Sequence, residues 1–190
     1  MKQTQKIGIL KIMSGIDILA TGGVGVMPTD TIYGVVGSAL DKKAVKRIYH
    51  LRKRDLKKPM IVLIGDIRDL KLFGVRIDQE MRKVLNNVWP GKVSVVLPRP
   101  SGKFSYLHRG TKTLAFRLPK SLWLREFLKA TGPLVAPSAN IAGNTPSKTI
   151  NEAKKYFADK VDFYADAGRL DAKPSRIIRI EEGKVIIVRS

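Results

Sequence analysis

The sequence predicts a layered α/β domain, on three observations. Segments with helical spacing of apolar residues alternate with short unbroken apolar runs along most of the chain. Those runs have strand length and end in clusters of Pro, Gly, Ser, Thr and Asp. At 190 residues and 44% apolar content, the chain can bury a real core. No repeat, low-complexity stretch or linker divides it, so residues 1–190 are expected to form one domain.

The elements follow in order. Ile9, Ile12, Met13, Ile16 and Leu19 predict a helix over 7–20, stopped by Gly22 and Gly23. "VGVMP" (24–28) reads as a strand running into the loop "TDT". Asp41 caps a helix through about Arg52, with Ala44, Val45, Ile48 and Leu51 on its apolar face. "MIVLIG" (60–65) is a buried strand, and Asp78 opens a helix that ends before "NVWPGK". "VSVVLP", "TLAFRLP" and "GPLVAP" are three further strands, with a helix around "SLWLREFLKA" between the last two. A helix over 149–158 precedes the closing strands "VDFYAD", "SRIIRI" and "KVIIVR".

Charge and composition narrow the chemistry. Thirty-six basic residues against 16 acidic give +20, a field that attracts polyanions. There are no cysteines, which removes disulfides, thiolate zinc sites and cysteine nucleophiles. Two histidines, His50 and His108, make a histidine-rich metal site or a hydrolytic triad a poor reading. Lys11 and Asp17 interrupt the first apolar stretch, so it is no signal peptide, and no run approaches membrane-helix length. The expected location is the cytoplasm. The chain lacks a G-x-x-x-x-G-K-[ST] loop, and "TGGVG" is too short for a dinucleotide fingerprint.

Four polar segments sit at strand ends, where ligands of open α/β sheets bind. They are "PTDTIYG" (28–34), "RKRDLKKP" (52–59), "PSAN" (137–140) with "NTPSKT" (144–149), and "KPSRIIRI" (173–180) leading to Arg189. Residues 41–60 hold nine Lys or Arg against two Asp, an excess of seven. Lys42, Lys43, Lys46 and Arg47 fall on the solvated helix face. Arg52, Arg54 and Lys58 fall where Pro59 forces an extended exit, and would suit a triphosphate or an RNA backbone. "PSAN" is either a plain turn or a polar platform for a ligand. Arg117, inside the apolar "LAFRLP", either faces water at a sheet edge or holds an anion.

In this order the segments resemble the YrdC family of threonylcarbamoyl-AMP synthases. "MPTDTIYG" is similar to the family's P-T-[ED]-T-x-Y-G, "RKRDLKKP" to its K-x-R run, and "VWPGKVSVVLP" to its W-P-G-x-[VL]-[ST] strand. "LAFRLP" resembles its V-R-x-P strand and "PSAN" its S-x-N signature. The resemblance implies a single-domain twisted mixed sheet flanked by helices, with a concave basic face. It implies condensation of L-threonine, bicarbonate and ATP into threonylcarbamoyl-adenylate with release of pyrophosphate, for modification of tRNA. No protein nucleophile is needed, because the carbamate oxygen attacks the α-phosphate itself.

By residue, the resemblance implies ATP and phosphate contacts at Arg52, Arg54, Lys58, Thr113, Asn140, Ser147 and Arg189. It implies threonine contacts at Thr31, Arg117, Ser138 and Ser175. Mg2+ is expected on the ATP phosphates, and Tyr33 is read as core packing. Three positions depart from the family pattern: Arg52 replaces a common lysine, Leu63 a histidine of some members, and Arg176 a small hydroxyl residue. Expected partners are the substrates, double-stranded RNA or tRNA, and the downstream threonylcarbamoyl-transferase proteins, with no membrane. The rival reading is an RNA-binding module of the same fold without the reaction.

Overall fold

One nine-stranded mixed sheet organises the chain, in the spatial order β7-β1-β2-β6-β3-β5-β4-β8-β9. The computed structural model describes residues 14–98, 102–181 and 184–190. The strands are β1 (Val24–Pro28), β2 (Tyr33–Ser38), β3 (Val62–Leu63), β4 (Val93–Pro98), β5 (Thr113–Arg117), β6 (Leu134–Val135), β7 (Phe163–Tyr164), β8 (Arg176–Glu181) and β9 (Lys184–Arg189). β1–β7, β3–β5 and β4–β8 pair in parallel; the other neighbours are antiparallel. The helices are α1 (14–20 among the described residues), α2 (Lys42–Leu51), α3 (Gln79–Val88), α4 (Ser105–His108), α5 (Leu122–Thr131) and α6 (Ile150–Phe157). Residues 7–13 of the expected first helix lie outside the described residues.

Strand periodicity divides the sheet into two faces. Leu114 and Phe116 of β5, Val95 and Leu97 of β4, and Ile178 of β8 pack into the larger core with Ile48, Leu70 and Leu85. On the other face, Leu63, Leu134, Leu124 and Leu128 form a smaller core under α5. That second layer stops short of the β5-β4-β8 region. The alternate side chains there, Thr113, Ala115, Val96 and Ile177, line an open cleft. The covering layer thus ends where the site begins.

α2 delivers the basic run to that cleft. The Asp41 carboxylate accepts the amides of Lys43 at 2.6 Å and Ala44 at 3.3 Å, a cap that contributes about 1 kcal/mol. Ala44, Val45, Ile48 and Tyr49 are buried, while Leu51, expected on that face, is only half-buried. Arg52 follows Ile48 by four residues, so it continues the buried stripe. Arg47 is not simply solvated as expected. Its guanidinium makes a two-pronged ion pair with Asp162 at 2.6 and 2.9 Å. This ties α2 to the start of β7.

Three features escape the sequence pattern. β2 is a full strand although "YGVVGS" carries two glycines, because β1 and β6 flank it on both sides. 3₁₀ helices at Ile67–Phe73 and Gly102–Phe104 fill loops, bringing Phe73 and Phe104 against the core. "MIVLIG" and "GPLVAP" pair as strand only at Val62–Leu63 and Leu134–Val135. Among the described residues, no helix is long and apolar enough to cross a membrane.

Candidate functional site

The loop between β1 and β2 is built on threonine hydroxyls. Thr29 Oγ1 donates to the Ile32 carbonyl at 2.7 Å and accepts from the amides of Thr31 and Ile32, a local turn that side-chain hydroxyls favour. The turn brings Thr31 Oγ1 within 3.0 Å of Thr29 Oγ1 and within 3.1 Å of Arg117 Nη1, which donates to it. Arg117 also faces Asp30, Nη2 to Oδ1 at 3.2 Å, with both side chains 5% exposed. β5 lies between β3 and β4, so Arg117 is not at a sheet edge. Of the two readings open for it, the water-facing one fails.

The "PSAN" turn is clamped between β2 and α2. Val35 donates its amide to the Pro137 carbonyl, and Ala139 donates to the Tyr33 carbonyl, each at 2.9 Å. Ser138 pairs with Gly34 in an isolated antiparallel bridge. From the other side, Arg52 donates through Nε to the Asn140 carbonyl at 3.0 Å. Its Nη2 reaches Ser138 Oγ at 3.1 Å and Asn140 Oδ1 at 3.2 Å. Ser138 borders the cleft.

Three residues expected at phosphate lie outside the cleft. The Asn140 side chain is buried and satisfied within the protein, its Nδ2 donating to the carbonyls of Ile141 and Asn144, each at 2.8 Å. Ser147 Oγ donates to the Ala139 carbonyl at 2.6 Å and is also buried. Neither lines the cleft. Both brace the loop that presents Ser138, because a buried polar group takes the partner its own turn supplies. Lys58 is exposed and does not line the cleft either. Its contribution to the structure is its carbonyl, which accepts from Tyr49 Oη and Arg54 Nε.

The remaining expected residues converge. Thr31, Arg52, Arg54, Thr113, Arg117, Ser138, Ser175 and Arg189 all border one cleft of about 460 Å³. Arg54 is fixed by bonds to the carbonyls of Lys58 and Pro59 at 3.1 and 2.8 Å. Arg189, on the edge strand β9, donates to the Ser175 carbonyl at 2.7 Å, while Ser175 Oγ lies 2.9 Å from Ser94 Oγ. Thr113 Oγ1 donates to Thr111 Oγ1 at 3.3 Å. The floor is apolar, with Val96, Ala115 and Ile177.

Among the described lining residues four are arginines and none is acidic. Burial pushes Arg52 down to about 10, and the nearby Arg54 charge adds to this. Burial also lowers Arg54, with Tyr49 and Asp55 acting the other way. Arg189 is lowered by burial and by Arg54. Arg117 is lowered by burial and further by Arg189, while Asp30 offsets part of this. Arg54 raises the cost of charging Arg52 and Arg189, and Arg189 that of Arg117, and Arg52 Nη1 and Arg117 Nε are buried without hydrogen-bond partners. An anion in the cleft answers both deficits.

Sequence reasoning passed over Asp30 and the apolar floor. Alternation within "TLAFR" held the signal for the floor, since Thr113, Ala115 and Arg117 share one face. Tyr33, expected in the core, is fully buried yet borders the cleft; its hydroxyl donates to the Gly168 carbonyl at 2.7 Å, accepts the Ala167 amide and lies 3.1 Å from Asp166 Oδ1. Leu63 packs in the smaller core under α5, and Arg176 is exposed on β8.

The profile of the Sua5/YciO/YrdC family, described as "Telomere recombination", matches residues 17–190. The chain belongs to this family. It is 32% identical over 179 residues to the threonylcarbamoyl-AMP synthase of Hahella chejuensis, covering 92% of this chain and 96% of that one. It is 28% identical over 188 residues to the threonylcarbamoyl-AMP synthase of Pyrococcus abyssi, covering 97% of this chain and 55% of that one. The crystal structure of Pyrococcus abyssi Sua5 complexed with L-threonine superimposes with a TM-score of 0.85 at 27% identity, over 100% of this chain and 55% of that one. This family member therefore spans about half the length of its Pyrococcus relative.

Proposed function

We propose that the chain synthesises L-threonylcarbamoyl-adenylate from L-threonine, bicarbonate and ATP, releasing pyrophosphate, and so supplies tRNA modification. The observation that carries this reading is the cleft itself: four arginines and no acidic residue among its described lining, beside short hydroxyl groups and over an apolar floor. Relatives over nearly the whole chain bear the synthase name, and one has been crystallised with threonine. A groove for an RNA backbone would have no need of Ser138 and Thr31 aimed at a cleft of small-molecule size.

In this reading Arg54 and Arg189 face the triphosphate, where preorganised cations stabilise charge on the departing pyrophosphate. Arg117, Thr31 and Ser138 take the amino acid, with Ser175 beside it. Arg52 serves from behind, fixing the Ser138 turn and offering Nη1 to an anion. The carbamate oxygen of N-carboxy-threonine attacks the α-phosphorus, the bond to the bridging oxygen breaks, and pyrophosphate leaves. The protein positions and neutralises; it contributes no nucleophile. Mg2+ would arrive on the triphosphate, whose oxygens supply the hard ligands it prefers.

The test is pyrophosphate release by the purified chain. It should require threonine and bicarbonate together with Mg-ATP. Equal turnover of ATP alone, or indifference to threonine, would sink the reading.

A further inference from the structure

Asp30 stands out because it is a carboxylate beside a site otherwise built for anions. Its Oδ1 faces Arg117 Nη2 at 3.2 Å, and its Oδ2 accepts the Lys120 amide at 3.1 Å. It therefore links the loop after β1 to the chain leaving β5. On the other side, Arg117 Nη1 donates to Thr31 Oγ1. Nη1 is thus hydrogen-bonded and Nη2 ion-paired to one loop, while Arg117 Nε and Asp30 Oδ1 are both buried without hydrogen-bond partners.

The other cleft arginines are held differently. Arg52 bonds to Ser138 and Asn140, Arg54 to the carbonyls of Lys58 and Pro59, and Arg189 to the Ser175 carbonyl. All those acceptors are neutral oxygens, so none of these guanidinium groups is in ion-pair contact with a carboxylate among the described residues. At Arg117 a carboxylate in ion-pair contact cancels most of the field while leaving hydrogen-bond donors in place. A polyphosphate is drawn by net charge, whereas a single carboxylate can be held by well-aimed donors.

Resting on the function proposed above, we infer that Asp30 is a positioning residue that divides the cleft between its two substrates. It fixes the plane of the Arg117 guanidinium for the amino-acid carboxylate. By neutralising that end, it directs the triphosphate toward Arg54 and Arg189. The division explains how a cleft with four arginines avoids taking the wrong anion at the threonine end.

The test substitutes Asp30→Asn, which keeps an oxygen for the Lys120 amide but removes the charge, and measures threonine and Mg-ATP binding separately. Threonine affinity should fall about tenfold, the effect of losing one buried charge-assisted contact. Affinity for Mg-ATP and for pyrophosphate should hold or rise. Opposite responses of the two substrates are what a merely structural role could not produce. Equal weakening of both, or no change in threonine affinity, would overturn the inference. Should Asp30→Asn fold too poorly to assay, Asp30→Glu keeps the charge but displaces it. Threonine binding should then weaken while ATP binding stays, and parallel losses would again overturn the inference. Wild-type protein that binds no threonine at all would instead refute the proposed function, so the two failures are distinguishable.

Discussion

Two buried arginines serve the same cleft under opposite arrangements. Arg117 is paired with a buried carboxylate and a threonine hydroxyl. Arg52, 3% exposed, has only neutral oxygens from Ser138 and Asn140. The paired charge meets its counter-ion inside the protein whether or not a ligand is present, although its Nε is left without a partner. The unpaired charge leaves the folded protein with a deficit that an anion can fill. The difference teaches that two arginines in one site need not have one role: one orients and the other attracts.

The largest expected effect sharpens this contrast in stability. Arg117→Met strands the Asp30 carboxylate without its cation and should cost about 3–5 kcal/mol. Arg52→Met strands only neutral acceptors, while removing a charge that is costly to bury, and should cost about 1–3 kcal/mol. Urea denaturation of both variants measures this. Equal losses would mean that the neutral oxygens compensate Arg52 as fully as Asp30 compensates Arg117.

Next in size is the response to ATP. Arg54→Ala should weaken Mg-ATP binding about tenfold or more, since a charge-assisted hydrogen bond contributes roughly 1.5–3 kcal/mol. Lys43→Ala, on the exposed face of α2, should change it little. Equal small effects in a calorimetric titration would mean that a diffuse field, rather than placed guanidinium groups, attracts the ligand.

The smallest effect concerns alkaline stability. Arg52 is held down at about 10 in the folded chain, well below the ordinary arginine range. Between the two, the unfolded chain binds the extra proton, so this group makes stability rise with pH. Tyr33 acts in the opposite sense. Burial raises it from 10.0 to about 12, so the folded chain keeps that proton longer and stability falls across the window. Thermal melts between about pH 10 and 12 should therefore steepen their decline in Arg52→Met and flatten it in Tyr33→Phe. Matching slopes in both variants would break the comparison of burial with pairing.

Much of the framework was legible because its signals are local. Asp41 caps α2, the Ile48 stripe continues to Arg52, and the alternation in "TLAFR" places Arg117 opposite the core. β2 was not legible, since its glycines weaken strand propensity and only neighbours on both sides make it a strand. The position of the expected residues was legible only in part. Eight expected residues border one cleft, whereas Asn140, Ser147 and Lys58 do not.

The sequence by itself determined the cationic character, the absence of thiol chemistry, the α/β alternation and the set of polar strand ends. These depend on residue identity and spacing over a few positions. Only the tertiary structure decided which arginine meets a carboxylate and which does not. Arg52 finds Ser138 86 residues away, and Arg117 finds Thr31 at the same separation. Such pairings depend on the order of strands in the sheet, which places β5 beside β3 and the Ser138 turn beside β2. A guanidinium carries its charge wherever it lies, but its role is set by the groups that long-range folding brings within hydrogen-bond reach.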